Sequence, residues 1–302
     1  MAGKEKKGAG MMKKELKKKW IRFERKIIDF MLFSNITKNI FSSKFFRLLI
    51  GKIEEFREKE LLKEIKRHPP PKHVAIIMDG NRRFAKEMKM EICEGHERGA
   101  DRLEEIMEIC RELDIKVLTV YAFSVENFRR AREEVTELMD LFFKKFDELL
   151  RDERIHRYGI KVRIIGNLDF LPEKVRKKAE EVMKATYSYS NYILNIAVAY
   201  GGRDEITEAT KKIMEKVKVG KLKPEEIDES IVSSHLYTHG LPDPDILIRT
   251  SGEERLSNFL LWQSANSLLC FYDVYWPSFR KRDFLKIIKI YQRRRNESQR
   301  LE

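Results

Sequence analysis

The sequence predicts a single α/β domain built on a central, mostly parallel six-stranded sheet flanked by helices, preceded by a basic helical extension. Three observations predict it: short apolar runs recur along residues 73–274 of the 302-residue chain, charged helical stretches separate them, and three consecutive prolines, Pro69-Pro70-Pro71, cut off what comes before. Prolines deny the backbone its donors and disfavour helix in the residue ahead of them, so a helix has to stop there. Strands buried on both faces read as apolar runs rather than as alternation, and helices between them supply the crossovers that parallel pairing needs.

Residues 1–67 form the extension. They carry 20 Lys and Arg against 9 Asp and Glu, a net of +11, and leave only +2 of the total +13 for residues 68–302. Met1 to Met12 reads as leader. From Lys13 to Arg67 the sequence is helix-prone, with Trp20, Phe23, Ile27, Phe30 and Met31 at helical spacing. An apolar face ringed by cations suits either an anionic membrane surface or packing on its own domain or a partner. Nucleic acid is disfavoured, because the main domain is nearly neutral. No stretch of 18 uninterrupted apolar residues occurs, so no membrane span is expected. Cys93, Cys110 and Cys270 make no CxxC pair and are odd in number, which suggests a reducing cytoplasmic setting, with peripheral membrane contact through the extension.

In the domain, residues 68–302, strands are expected at His73–Met78, Lys116–Phe123, Lys161–Ile165, Tyr192–Ala199, Asp245–Arg249 and Leu268–Val274. Helices are expected at Arg98–Leu113, Glu133–His156, from Pro172 onward, at Asp204–Val217 and at Lys281–Arg295. Ligands of such sheets sit beyond the C-terminal strand ends, and polar residues cluster there. The first strand runs into Met78-Asp79-Gly80-Asn81-Arg82-Arg83-Phe84. Gly allows close backbone approach, a helix start offers N–H groups, and Arg binds phosphate oxygens bidentately. Asp79 repels phosphate unless a divalent cation lies between them, and magnesium suits carboxylate plus phosphate oxygens. A strand-end carboxylate has little core packing to lose, so Asp79 is expected to be removable without unfolding. Ser124 and Asn127 follow the second strand, Gly201-Gly202-Arg203 the fourth. After the fifth, Arg249 and Arg255 flank a Gly turn with Ser257 two residues on, a second anion cradle. His235 and His239 have helical metal-ligand spacing but no acidic companion, and His73 reads as structural.

The segments HVAIIMDGNRRFAK, EGHERGA, TVYAFSVENF, LNIAVAYGGRDEI and ILIRTSGEERLSNFLLWQ resemble, in order and spacing, the five signature regions of the cis-prenyltransferase family (undecaprenyl and dehydrodolichyl diphosphate synthases), from about residue 72 to 284. MDGNRR and IRTSGE are most similar to its eukaryotic and archaeal catalytic branch. The resemblance implies condensation of isopentenyl diphosphate with an allylic prenyl diphosphate, whose diphosphate leaves, in cis geometry, giving a long-chain polyprenyl diphosphate, the precursor of a lipid glycan carrier. It implies magnesium on Asp79, an allylic diphosphate held by Gly80, Asn81, Arg82, Arg83 and His96 with Arg130 assisting, and isopentenyl diphosphate held by Arg249, Arg255, Leu256 and Ser257. Phe84 and Phe128 would wall the prenyl chain. Ser124, Val125, Glu126 and Asn127 would position the reacting alkene, with Asn127 as proton acceptor or, since an amide is a weak base, as the guide of a hydrogen-bond path to the departing diphosphate. An apolar product tunnel would draw on Leu138, Met139, Leu141, Phe142 and Phe143.

Three positions depart from the family pattern. Ile92 replaces a frequent arginine, and Leu268 replaces a magnesium-binding glutamate of bacterial members. Glu297-Ser298-Gln299 stands where single-subunit members carry an Arg-x-Gly tail that completes the neighbouring site. The resemblance therefore implies a heteromer with a related Arg-x-Gly-tailed chain. The alternative is a homodimer in which Arg293 to Arg295 substitute. Alternatives for the activity are a non-catalytic scaffold of the same fold and a prenyltransferase with an unusual acceptor.

Overall fold

The structure, a computed structural model, describes residues 44–298, so the expected face at Trp20–Met31 lies outside the described residues. The chain divides between Glu60 and Leu61 into two units. Helix α1 (Lys44–Ile65) ends in the second unit, where Ile65 is fully buried and its carbonyl accepts from the Gln292 amide at 3.0 Å.

All six strands of the second unit are parallel, in the order β3-β4-β2-β1-β5-β6. They are β1 (His73–Ile77), β2 (Val117–Ser124), β3 (Ile160–Ile165), β4 (Tyr192–Tyr200), β5 (Ile246–Thr250) and β6 (Leu268–Tyr272), each within two residues of its expected bounds. The central strands β1 and β5 are buried along their whole length, which is why they contain no alternation. Between strands lie α2 (Asn81–Glu87), α3 (Ile92–Glu112), α4 (Arg132–Arg151), α5 (Glu153–Arg157), α6 (Glu173–Ala185), α7 (Gly202–Lys218) and α8 (Glu229–His235), and α9 (Lys281–Ser298) closes the unit. The expected helix over 133–156 is two helices, broken at Asp152, whose side chain accepts from Arg154 N at 2.8 Å and caps α5.

Alternation within the strands sorts two cores. Val74, Ile76, Leu118, Val120, Leu194 and Ile196 face the large apolar cluster shared with α3, α4, α6 and α9. Ala75, Ile77, Tyr121 and Ala197 face a smaller one with Phe259 and Leu260. On that second face His73 Nε2 lies 2.7 Å from Thr119 Oγ1, which accepts from Asn195 Nδ2 at 2.9 Å, so a fully buried polar row crosses β1, β2 and β4. From β1 the chain builds outward through β2, and after β4 it returns to the other side of β1 with β5. Strand order thus reverses at β1/β5, where a crevice opens beyond the C-terminal ends.

Candidate active site

The turn after β1 is clamped by β5. Asp79 N donates to Thr250 Oγ1 at 3.0 Å, and the Thr250 hydroxyl donates to Asp79 O at 2.7 Å. Trp276 N donates to the same carbonyl at 3.0 Å. Gly80 sits at φ +106°, and a Cβ there would come within 2.8 Å of the Tyr275 ring. Only glycine fits both demands, and α2 begins with the next residue.

Asp79 Oδ2 accepts from Arg249 Nη2 at 2.8 Å, and Oδ1 lies 3.4 Å from Arg83 Nη2. Arg249 is only 4% exposed, and its Nη1 also donates to Ser257 Oγ at 2.6 Å and to the Arg255 carbonyl. Arg83 donates to Ser251 Oγ at 2.5 Å and pairs with Glu253, whose other oxygen holds Arg255 at 2.6 Å. Burial pushes the Asp79 carboxyl up, but the Arg249 hydrogen bond, the charges of Arg249 and Arg83 and a Ser251 hydrogen bond outweigh it and hold the pKa below its ordinary value. To the expectation that the fold survives removal of Asp79 the structure adds a cost in stability. Asp79 carries no apolar packing, yet it is the counter-charge of a buried arginine, and such a group is costly to strand.

A second cluster lies across the crevice. Glu134, on the first turn of α4 and 8% exposed, accepts from Arg130 Nη1 at 2.9 Å. Arg82 Nε lies 3.5 Å and His96 Nε2 3.9 Å from the same oxygen. Burial, with the charges of Arg130 and Arg82, pushes the His96 imidazole down to about 4, so it is neutral near pH 7. His96 Nε2 and Asn81 Oδ1 are buried without a hydrogen-bond partner among the described residues. Glu134 escaped the sequence reading. Its one signal was an acidic residue on the buried stripe of a helix, four positions after Arg130.

After β2 the chain makes a 3₁₀ turn (Val125–Arg129) closed by reciprocal capping between Ser124 and Asn127. Ser124 N donates to Asn127 Oδ1 at 3.1 Å, which occupies the amide oxygen and leaves Nδ2 as a donor.

The arginines, Asp79, Asn81, His96, Ser124 and Asn127 line one cavity of about 1040 Å³, which takes in every predicted site residue except Phe84, Val125, Phe128 and Leu256. Phe84 lies beneath the Arg98 guanidinium, and Phe128 packs edge-on against Phe123 at 4.8 Å and Phe170 at 6.1 Å. Leu256 packs on the smaller apolar cluster, and Val125 is a half-buried turn residue. Ile92 stands on the cavity wall. Leu268 pairs with Ile246 at the start of β6, at the far end of the sheet from Asp79, so its side chain does not reach that carboxylate within one chain.

A narrow apolar cavity of about 150 Å³ leads on between α3, α4 and the sheet, sharing Met78, Asn81, His96, Ala122 and Leu138 with the large one. Leu138, Leu141 and Phe142 line it as expected. Met139 and Phe143 do not: Met139 borders a pocket beside Phe170, and Phe143 is exposed beside Lys178. The α4 period explains this, since residues one position on from 138 and 142 turn about 100° away.

No group of three or more His, Cys, Asp or Glu able to hold a metal occurs among the described residues. Asp79, ionised and facing the cavity, supplies one carboxylate. Magnesium is content with one or two carboxylates plus substrate phosphates, so the residues present fit that ion with phosphates completing its shell. His235 Nδ1 bonds to the Ile231 carbonyl at 2.7 Å and His239 Nδ1 to Leu236 O at 3.2 Å; only His235 lies on α8, so the two do not share a helix face. No described helix is long and apolar enough to cross a membrane.

Comparison with known proteins agrees with this geometry. The family described as "Putative undecaprenyl diphosphate synthase" matches residues 77–299. The tritrans,polycis-undecaprenyl-diphosphate synthase (geranylgeranyl-diphosphate specific) of Thermococcus kodakarensis is 56% identical over 82% of this chain and 94% of its own. That of Methanocaldococcus jannaschii is 52% identical over 78% and 85%. Among solved structures, lavandulyl diphosphate synthase from Lavandula x intermedia, in complex with dimethylallyl diphosphate, superposes with a TM-score of 0.71 at 36% identity, covering 74% of this chain and 95% of that one. A probable undecaprenyl diphosphate synthase from Campylobacter jejuni gives 0.61 at 35%, covering 73% and 94%. Signature strings, an all-parallel sheet with arginines and a carboxylate at its switch point, and these relatives converge: the chain is a member of the cis-prenyltransferase family, a transferase that makes polyprenyl diphosphates by cis condensation.

Proposed function

We propose that this enzyme extends geranylgeranyl diphosphate with isopentenyl diphosphate to an undecaprenyl-length product that serves as precursor of a lipid glycan carrier. The observation that carries the reading is the pair of arginine cradles facing each other across Asp79 at the mouth of an apolar tunnel. The starter and product length follow the names of the archaeal relatives. Asn81, Arg82, Arg83, His96 and Arg130 hold the allylic diphosphate, and Arg249, Arg255 and Ser257 hold that of isopentenyl diphosphate.

The allylic C–O bond breaks, the homoallylic alkene attacks the allylic carbon, and the proton lost from the new chain passes to an oxygen of the departing diphosphate. Arg82 and Arg130, already gathered by Glu134, neutralise charge as it develops on the leaving group without having to reorganise. Asn127, its oxygen tied to Ser124, presents Nδ2 to the departing diphosphate. Asp79 would hold magnesium, which would supply further charge neutralisation. Because the apolar cavity is narrow, α3 and α4 separate as the product lengthens.

The reading extends to a partner and a membrane. With Glu297 where a completing arginine would stand, the site takes its tail from a related Arg-x-Gly-tailed chain. The basic extension holds the enzyme at an anionic membrane surface. The test incubates the chain with labelled isopentenyl diphosphate, magnesium and geranyl, farnesyl or geranylgeranyl diphosphate, with and without such a partner, and sizes the products. Geranylgeranyl diphosphate should be extended best, and long products should need the partner. No elongation from any starter would overturn the reading, and full-length synthesis by the chain alone would remove the partner. Removal of residues 1–60, a boundary that leaves Leu61, Leu62 and Ile65 in their core, should lower binding to anionic vesicles. Unchanged binding would refute the anchoring role.

A further inference from the structure

The two cradles stand on loops from different strands, and holding them in register requires a residue that touches both sides. Asn258 lines the cavity next to Ser257, in left-handed backbone at φ +63°, a region Asn enters more readily than most residues. Its Oδ1 accepts from Arg203 N at 2.9 Å, its Nδ2 donates to Glu126 Oε1 at 3.1 Å, and its carbonyl accepts from Gly202 N at 2.7 Å. The N–H groups of Gly202 and Arg203 at the start of α7 are thus spent on Asn258 and are not free to bind phosphate.

Asn258 is also one of the close neighbours of Gly201 and Gly202, beside Asp204 and Leu261. A Cβ at Gly201 would lie 2.9 Å from Asn258 Nδ2, and one at Gly202 would lie 3.1 Å from Asn258 O. Tyr121 stacks on Phe259 with ring centroids 4.5 Å apart, and its hydroxyl reaches the Ser257 carbonyl at 3.4 Å, which steadies the loop from below. Glu126 lies in the turn that carries Asn127 and leads to Arg130. Burial would raise its carboxyl, but its own backbone N–H, Ser124 and Asn258 hold it below the ordinary range.

We propose that Asn258 is a positioning residue that locks the Arg255–Ser257 loop to Glu126, so that the isopentenyl diphosphate cradle and the turn beside the allylic cradle keep one fixed register. The proposal rests on the substrate assignment given above.

Asn258→Asp keeps an acceptor for Arg203 N but sets a carboxylate against that of Glu126. We expect kcat/KM for isopentenyl diphosphate to fall more than tenfold at pH 8, with the Kd of the allylic substrate alone changing less than twofold. The loss should shrink as pH is lowered and the two carboxyls share a proton. Adding Glu126→Gln rebuilds the hydrogen bond with donor and acceptor exchanged, so the double variant should recover at least fivefold over Asn258→Asp. Asn258→Gly, which keeps the backbone conformation at no strain, should show a similar loss and no recovery with Glu126→Gln. A double variant no better than Asn258→Asp, or equal losses for both substrates, would overturn the proposal. Wild-type inactivity with every starter would instead sink the substrate assignment. The Asn258–Glu126 link would then be judged by whether Glu126→Gln restores the thermal stability and the inorganic pyrophosphate Kd lost in Asn258→Asp.

Discussion

Asp79→Ala should cost stability as well as turnover. The carboxylate lies 2.8 Å from Arg249 Nη2, and Arg249 is 4% exposed. With charge centres about 4 Å apart and an effective dielectric near 20, the attraction is about 4 kcal/mol. Asp79 keeps roughly a quarter of its surface in water, and Arg249 retains its bonds to Ser257 and the Arg255 carbonyl. The loss should therefore be about 2–3 kcal/mol, just below the range for breaking a fully buried pair. Asp79→Asn keeps the acceptor and removes the charge, so it should cost about half as much while turnover stays lost. Urea denaturation of the three proteins measures this directly. Repeating it in EDTA with inorganic pyrophosphate adds a sharper test, because a bound anion replaces the missing counter-charge and should stabilise Asp79→Ala more than the wild type. A deficit under about 1 kcal/mol, or no selective gain with pyrophosphate, would refute the claim that Asp79 neutralises Arg249.

Arg255 is mostly exposed and, among the described residues, its side chain pairs only with Glu253, so Arg255→Ala should leave stability within about 0.5 kcal/mol and raise KM for isopentenyl diphosphate at least tenfold more than KM for the allylic substrate. Equal effects in steady-state assays would refute two separate cradles. Glu134→Ala strands Arg130 and loosens Arg82, and should raise the allylic KM more than the isopentenyl one, with about 2 kcal/mol of stability lost; the same assays and a melt decide it. Burial holds His73 at about 4 against 6.5 in the unfolded chain, with the Pro242 carbonyl and Asp245 only partly opposing. The unfolded state therefore takes up the proton first: this contribution is intact above pH 6.5 and disappears as pH falls toward 4, by about 3 kcal/mol. Urea titrations at pH 7, 5.5 and 4.5 should show a pH-dependent loss that is clearly smaller in His73→Gln, where the share of the likewise depressed His96 remains.

The residues of one strand or one turn could be read from the sequence because their constraints are local. The run His73–Ile77 is apolar throughout because β1 is buried on both faces, and the turn at Gly80 needs glycine whatever surrounds it. Asp79, Arg83, Arg249 and Ser257 stood in strings specific enough to name the family, and the structure gathers them at one crevice. Periodicity likewise gave α4 an apolar stripe. It could not say that Leu138, Leu141 and Phe142 meet the tunnel while Met139 and Phe143 turn elsewhere, because that depends on which neighbour each face meets.

What only the tertiary structure decided is every relation across long separations. Asp79 and Arg249 lie 170 residues apart, and Glu126 and Asn258 lie 132 apart. Thr250 clamps the β1 turn, Leu268 falls at the wrong end of the sheet to serve Asp79, and Glu134 gathers three groups of which only Arg130 is near it in sequence. The physical reason is the same in each case. Hydrophobic pattern and turn chemistry are fixed by neighbours along the chain, whereas a charge or amide finds its partner only once strand order and register have set which loops stand side by side.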